Sequence, residues 1–301
     1  MKRVLVTGGA GFIGHHLVNA LKEYDVTIID NLSTGKREFI PENVRFIKGN
    51  LTDRKFVLSN IKDFDIIFHL AANADVKRGS IDTTVDVEQN ILATHNVLEA
   101  MRINGVKNIV FTSTSTIYGS ALMPTLENYG PLKPESMYGA SKLACEALIS
   151  AYCHNFGMRA WIFRFANVIG PDGTHGIIFD FINKLRKDSF ELEVLGDGKQ
   201  AKSYVYIDDV VSAILLSVEK SNDTVNIYNI GSDNTIPVSE IASMVIKEMK
   251  LKAKIRYTGG SIGWKGDIPK MLLSNAKLKA LGWTPKYNSK ESVKLTIRSL
   301  I

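Results

Sequence analysis

Residues 7–14 read Thr7-Gly8-Gly9-Ala10-Gly11-Phe12-Ile13-Gly14, immediately after the apolar run Val4-Leu5-Val6. Glycines at 8, 11 and 14 have the spacing of a strand-to-helix turn that lets another group come close. The first permits the tight turn, the second lets the backbone approach a pyrophosphate, and the third lets the helix pack against its strand. A helical pattern opens at Phe12. The helix N-terminus therefore turns its unpaired N–H groups, and the positive end of its dipole, toward whatever the turn holds. The stretch predicts a diphosphate cradle at the start of the chain.

Working outward, the next apolar run, 26–29, ends in Asp30. That is close to the spacing, about 20 residues, at which an acidic side chain meets the ribose of a dinucleotide. A carboxylate there accepts from the ribose 2′-OH and repels a 2′-phosphate, so NAD is favoured over NADP. Lys36 and Arg37 nearby weigh the other way.

Short apolar runs at 4–6, 26–29, 44–47, 66–70, 109–113 and 160–163 alternate with helical patterns at 12–23, 54–61, 85–101 and 138–156. Nearly continuous apolar strands are covered on both faces, and strand–helix alternation gives a parallel sheet with right-handed crossovers. The expected fold is α/β, a Rossmann-type doubly wound parallel sheet with a smaller, interleaved C-terminal substrate-binding domain. We place the first domain at 1–168, with parts of 204–230 returning to it, and the second at 169–301. Gly170-Pro171-Asp172-Gly173 marks the change of pattern. Helices are expected at 178–186, 208–218 and 238–250, and short strands at 225–230 and 253–257.

The chain has 301 residues, 45% of them hydrophobic, which is enough for a sizeable core. No apolar run reaches the roughly 18 residues of a membrane span, so no membrane partner is expected. Met1-Lys2-Arg3 leads straight into a strand, without the apolar region of a secretory signal, and cytoplasmic residence is the expectation. Of the two cysteines, Cys145 and Cys153 fall in one predicted helix about two turns apart, too far for a disulfide. The six histidines show no metal spacing, and adjacent His15 and His16 are expected on different sides of a helix. No metal is expected. The net charge of +6 favours anionic ligands. Lys247, Lys250, Lys252, Lys254 and Arg256 crowd one stretch, which reads as a solvated helix end; no nucleic-acid module accompanies it, and no nucleic-acid partner is expected.

Tyr138-Gly139-Ala140-Ser141-Lys142 opens a helix. Residues four apart share a helix face, so the phenol and the ammonium lie together. A phenol with an ordinary pKa of about 10 is a poor base at neutral pH. A nearby cation favours its phenolate and makes Tyr138 a candidate proton-transfer group for an alcohol. An ordinary helix face is the plain alternative. Upstream, the strand 109–113 runs into Ser113-Thr114-Ser115-Thr116-Ile117-Tyr118-Gly119. Ligands of open parallel sheets bind at strand C-termini, where these hydroxyls stand, although hydroxyls also cap turns.

These stretches together resemble the extended short-chain dehydrogenase/reductases, in their nucleotide-sugar epimerase/dehydratase branch. The resemblance runs nearly end to end. It includes His69-Leu70-Ala71-Ala72, Asn90, Arg164-Phe165-Ala166-Asn167-Val168-Ile169-Gly170-Pro171, Tyr204-Val205-Tyr206-Ile207-Asp208-Asp209-Val210 and Leu281-Gly282-Trp283. Asp30-Asn31-Leu32-Ser33-Thr34-Gly35 is most similar to the UDP-glucose 4-epimerases. The resemblance implies Thr114 as the catalytic hydroxyl, Tyr138 as the proton-transfer group and Lys142 on the nicotinamide ribose. It implies NAD contacts from Gly8, Gly11, Phe12, Ile13, Gly14, Asp30, Asn31, Leu32, Thr34 and Gly35. Asn50, Leu51, Leu70, Ala71, Ala72 and Asn90 complete that set, with Asn90 equally readable as a buried residue capping a helix irregularity. Thr114, Asn167, Ile177, Lys202 and Met271 are implied for the sugar nucleotide, and a homodimer for the assembly.

The 4,6-dehydratases of this branch carry Asp-Glu directly after the catalytic Thr, where this chain has Ser115-Thr116. Dehydration is thereby disfavoured. Lys202 stands where the family often has a phosphate-binding arginine, and Trp264, beside Lys265 and before Gly266, replaces another. Met271 occupies the position that limits the sugar pocket, leaving a C2 N-acetyl group open. The expected reaction is NAD-dependent epimerisation at C4 of a UDP-hexose. Alternatives are an epimerase or reductase for a UDP-uronate or GDP-sugar and, from another class, a non-catalytic NAD-sensing binding protein.

Overall fold

The structure, a computed structural model, describes residues 1–261, 263 and 268–301. Its strands β1 (Arg3–Thr7), β2 (Asp25–Asp30), β3 (Arg45–Lys48), β4 (Ile66–His69), β5 (Asn108–Thr114) and β6 (Arg159–Phe165) follow the expected apolar runs within a residue or two. With the strand Val225–Ile230 they form one seven-stranded sheet. From that last strand the order is β6, β5, β4, β1, β2, β3, a Rossmann-type arrangement. Parallel pairings run through β3, β2, β1, β4 and β5. Because β1 lies between β2 and β4, the winding reverses at its carboxyl end, where open sheets of this kind bind ligands.

Contacts group the chain into two compact units. The first comprises Met1–Ile117, Leu132–Arg164 and Ile214–Tyr228. Its helices include α1 (Phe12–Ala20), α2 (Arg54–Asn60), α3 (Val76–Ile81), α4 (Thr84–Asp86), α5 (Ala93–Asn104) and α6 (Met137–Phe156). Leu5, Ile29, Ile67, Phe111 and Ile162 from the sheet pack with Val57 of α2, Val97 and Met101 of α5, and Ile149 of α6. Each such side chain contributes about 1.5–3 kcal/mol by leaving water. The sheet therefore selects which helix faces turn inward. Gly105 (φ 77°) and Gly157 (φ 61°) end α5 and α6 in the left-handed conformation that closes helices without a Cβ penalty.

One element departs from expectation. The single helix read at 85–101 is three pieces: α4, a π-helical turn at Val87–Leu92, and α5. Wide turns of this kind place an extra residue in the helix. Here the Asn90 carbonyl accepts from Cys145 Sγ at 3.4 Å. His15 and His16 also differ from expectation: their rings approach to 4.1 Å instead of diverging, His15 stacking on Phe39.

The second unit comprises Tyr118–Pro131, Phe165–Ala213 and Asn229–Ile301. It holds small sheets: Asn167–Ile169 with Tyr204–Tyr206, Glu191–Val194 with Lys254–Tyr257, and Ala201–Lys202 between Ile236–Pro237 and Lys270–Met271. Helix α7 (Ile177–Lys187) buries Ile178, Phe181, Ile182 and Leu185 against Leu192, Ile241, Val245 and Val293. Arg256, from the basic stretch, is paired across strands with Glu191 at 2.6 Å and Glu193 at 2.7 Å. Both cysteines are free and buried in the first unit. Among the described residues no helix is long and apolar enough to cross a membrane.

Candidate active site

The glycine turn is closed so tightly that side chains are excluded from it. A Cβ on Gly8 (φ +73°) would lie 2.6 Å from the Ala71 nitrogen, and one on Gly14 would lie 2.1 Å from the Gly8 oxygen. A Cβ on Gly11 would sit 3.2 Å from that same oxygen. Gly11 caps α1 with no side-chain hydrogen bond, and the first turn, with Phe12 and Ile13, holds no acidic residue. The dipole end is thus left for an anion.

Asp30 is buried at the end of β2, its Oδ2 accepting from Ala10 N at 3.0 Å and its Oδ1 from Leu32 N at 2.8 Å. The loop beyond folds back on the turn. Leu32 takes φ 58°, Asn31 Oδ1 accepts from Ser33 N, and Lys36 N donates to Ala10 O. A Cβ on Gly35 would reach within 2.9 Å of the Ala10 Cβ, while Thr34 is exposed. Lys36 pairs with Glu38 at 3.3 Å and Arg37 donates to Ile40 O, so both cations are engaged within the loop. Leu70, Ala71 and Ala72 follow β4, with Leu70 N donating to Thr7 O at 3.1 Å. Asn50 is exposed, its Oδ1 accepting from Thr52 N, and Leu51 beside it is buried, its carbonyl accepting from Asn96. A cradle that any Cβ would fill, an uncapped helix start and a carboxylate at the second strand suit a dinucleotide with an unmodified ribose.

Thr114, Tyr138 and Lys142 come together. Thr114 ends β5, and the other two lie one turn apart at the start of α6, which Ser136 caps by accepting from Gly139 N. The Thr114 hydroxyl lies close enough to the Tyr138 phenol to lower its pKa. Its own oxygen accepts from Thr116 N and Thr116 Oγ1, both at 3.2 Å, which leaves its proton for donation. Lys142, only 2% exposed, donates from Nζ to Thr112 O at 2.9 Å and lies 4.6 Å over the Phe111 ring. Burial pushes the Tyr138 phenol up to about 12, an effect the neighbouring Thr114 hydroxyl opposes. Burial also pulls the Lys142 ammonium down to about 8, against Cys145, Asp86 and Glu146, which raise it. His69, at the end of β4, sits between Thr7 Oγ1 at 2.8 Å and Thr94 Oγ1 at 3.0 Å. Burial, and then the Lys142 charge, hold its pKa near 3, so it is neutral.

Asn90 and polar side chains that the sequence reading did not single out, Asn73, Asp86 and Glu146, brace this group. Asn90 Oδ1 accepts from Asn73 N at 2.8 Å, and Asn90 Nδ2 donates to Ser141 Oγ at 2.8 Å and to Asp86 Oδ1 at 3.1 Å. Asn90 lies in the helix irregularity and reaches α6. One turn beyond Lys142, Glu146 takes a two-pronged pair from Arg164, at 2.7 and 3.1 Å, and a hydrogen bond from Ser113. The only sequence signal for Glu146 was its place four residues after Lys142. Asn73 and Asp86 gave none.

In the second unit, Asn167 donates from Nδ2 to Ser203 O at 3.0 Å, and Ser203 N donates to Met271 O at 2.9 Å. Lys202 and Met271 are register partners on adjacent parallel strands. The structure so gathers Asn167, Lys202 and Met271, while Ile177 opens α7. Trp264, Lys265 and Gly266 lie outside the described residues.

The model of the NAD dependent epimerase/dehydratase family matches residues 4–231. The chain belongs to that family. A putative UDP-glucose 4-epimerase of Methanocaldococcus jannaschii is 34% identical over 98% of this chain and 97% of its own length. The crystal structure of a UDP-galactose 4-epimerase superposes with a TM-score of 0.91 at 40% identity, covering 99% of this chain and 98% of the other. The UDP-glucose 4-epimerase of Thermus thermophilus, solved with NAD, gives 0.90 at 34% identity, covering 99% of each. As a family member the chain is an NAD-dependent enzyme, with the Rossmann-like sheet of these relatives.

Proposed function

We propose that the chain is a UDP-hexose 4-epimerase, interconverting UDP-glucose and UDP-galactose or their N-acetylhexosamine forms. The observation that carries this reading is the convergence of Thr114, Tyr138 and Lys142 with Ser115-Thr116, and no carboxyl pair, following Thr114. Gly8, Gly11, Gly14 and Asp30 would hold NAD, with Asn31, Leu32, Gly35, Leu51 and Leu70–Ala72 lining it. Bound NAD supplies a reversible hydride acceptor for C4 of the sugar. Tyr138 takes the proton of the C4 hydroxyl and returns it in the reverse step. Thr114 donates to that same oxygen. Lys142 holds the nicotinamide ribose, and its charge favours the phenolate. The 4-keto sugar presents its other face before reduction, which inverts C4. In the second unit Lys202 would meet the diphosphate as a point charge, without the bidentate fork of an arginine. Asn167, Ile177 and Met271 would contact the sugar nucleotide. Val87, Leu92, Ile103 and Phe156 are exposed apolar side chains along α5, α6 and the π turn. They support a homodimer, which sedimentation would test.

Incubation of the purified protein with UDP-galactose should yield UDP-glucose. Tyr138→Phe should slow the conversion by at least about a hundredfold, and full activity in that variant would remove Tyr138 from the mechanism. The departures at Lys202 and Met271 leave the nucleotide sugar open, and the second reading is an epimerase or reductase for a UDP-uronate or GDP-sugar. A panel of these nucleotide sugars separates it from the first. Bound NAD with no turnover on any of them would favour a sensor.

A further inference from the structure

Asp86 is fully buried at the end of α4. Its Oδ1 accepts from Asn73 Nδ2 at 2.8 Å and Asn90 Nδ2 at 3.1 Å. Its Oδ2 has no hydrogen-bond partner, and no ion pair is made by this carboxylate among the described residues. The contrast with Glu146 is instructive, since that carboxylate is matched by the Arg164 guanidinium. Burying a lone carboxylate is costly unless something nearby compensates it.

Two hydrogen-bonded routes lead from Asp86 to α6. Asn73 N donates to Asn90 Oδ1, and Asn90 Nδ2 donates onward to Ser141 Oγ, which itself donates to the Tyr138 carbonyl at 2.8 Å. Asp86 therefore fixes the Asn90 amide that reaches the segment between the phenol and the ammonium, and the Asn73 amide behind it. The space beside Oδ2 is shaped for a glycine. A Cβ on Gly79 of α3 would come within 1.9 Å of that oxygen. Gly79 is helical, where alanine is ordinarily the better residue, so the glycine leaves room for the carboxylate.

Resting on the reading of Tyr138 and Lys142 as the working pair, we propose that Asp86 is a positioning residue for them. It locks the Asn73–Asn90–Ser141 chain onto α6, and its charge sets the ionisation balance of the pair. The cation that acts on it is Lys142, whose ammonium it favours in turn, while it disfavours the Tyr138 phenolate. Of the other groups bearing on the pair, Cys145 and the Arg164-paired Glu146 also favour the Lys142 ammonium and stay in place in Asp86→Asn, His69 is neutral, and Asp75 acts on Asp86 itself.

The direction of the effect follows. Removing the charge in Asp86→Asn keeps an acceptor oxygen for the two amides. The Lys142 ammonium loses support and the Tyr138 phenolate loses an opponent, so both limbs of the activity profile move to lower pH. A shift of about one unit is the low end for a nearby charge. The test measures UDP-galactose conversion by the full chain with NAD, as a function of pH, in the parent, Asp86→Asn, Gly79→Ala and Tyr138→Phe. Asp86→Asn is expected to displace both limbs together and lower kcat, with KM within twofold. Gly79→Ala is expected to lower kcat at least tenfold with KM kept. An Asp86→Asn profile that superimposes on the parent's overturns the proposal. So does a Gly79→Ala enzyme with the parent's kcat, which also covers the case where Asp86→Asn fails to fold. Tyrosinate absorbance, taken as parent minus Tyr138→Phe, gives a readout that needs no substrate, and Tyr138 should ionise earlier in Asp86→Asn. Full activity in Tyr138→Phe would sink the underlying reading instead, so the two failures are told apart.

Discussion

The two units hold the polar side chains assigned to the site differently. In the first, Asp30, His69, Asp86, Asn90, Lys142 and Glu146 are all buried and fixed by named partners inside one sheet-and-helix core. In the second, the residues proposed to contact the substrate stand half-exposed on strands two or three residues long or at the start of α7. A buried polar network holds atoms to the precision that proton transfer needs, and it is unforgiving of change. Short strands with open side chains can alter what they recognise while the sheet stays as it is. Substitutions in the first unit should therefore act on turnover and on stability, and those in the second on affinity.

The largest expected effect breaks or upholds that division at once. Tyr138→Phe should cost about 10²–10⁴-fold in kcat, the usual worth of a positioned proton-transfer group. NAD content and melting temperature should stay near the parent's. A large loss of bound NAD would mean that the phenol serves binding more than chemistry.

His69 sharpens the same comparison through pH. Its pKa is about 3 in the fold against an ordinary 6.5, so above pH 6.5 it is neutral in both states and stability is fully present. Below that the unfolded chain takes a proton that the folded chain refuses, and stability falls as pH falls toward 3. At about pH 4.5 the loss should be roughly 2–3 kcal/mol, from about 1.36 kcal/mol per unit. Urea denaturation at neutral and acid pH measures it, and His69→Gln should flatten the slope. Equal slopes in the two proteins would show that the imidazole is not what makes this core acid-sensitive.

The smallest effect belongs to the second unit. Lys202→Ala should raise KM for the nucleotide sugar by roughly tenfold, about the worth of one charge-assisted hydrogen bond, while kcat changes less than twofold. Lys202→Arg should recover the affinity, since its fork can meet two phosphate oxygens. A Lys202→Ala variant that loses kcat and keeps KM would erase the distinction between the units.

How much the sequence disclosed follows the same divide. The first sheet was legible because its strands are apolar on both faces and its glycine turn admits one geometry. Asp30, Thr114, Tyr138 and Lys142 were legible because strand ends and a four-residue helical spacing fix where they stand. Asp86 and Asn73 were not, since their importance lies in contacts between α3, α4, the π turn and α6 that no local periodicity records. The break at Val87–Leu92 was invisible for a related reason: a π turn leaves the apolar pattern almost intact. In the second unit, strands such as Ala201–Lys202 are too short to show alternation. The grouping of 118–131 with that unit is likewise made by distant pairings, such as Thr125 N to Leu272 O at 2.9 Å.

The two thiols on α6 carry a practical consequence. Cys145 and Cys153 are at most 2% exposed, and burial drives the Cys153 thiol up to about 11. An alkylating reagent reacts with thiolate, so in the native protein it meets neither access nor the reactive form. Modification would then wait for the helix to leave its seat. Its rate would serve as a built-in clock for opening of the core that carries the phenol and the ammonium.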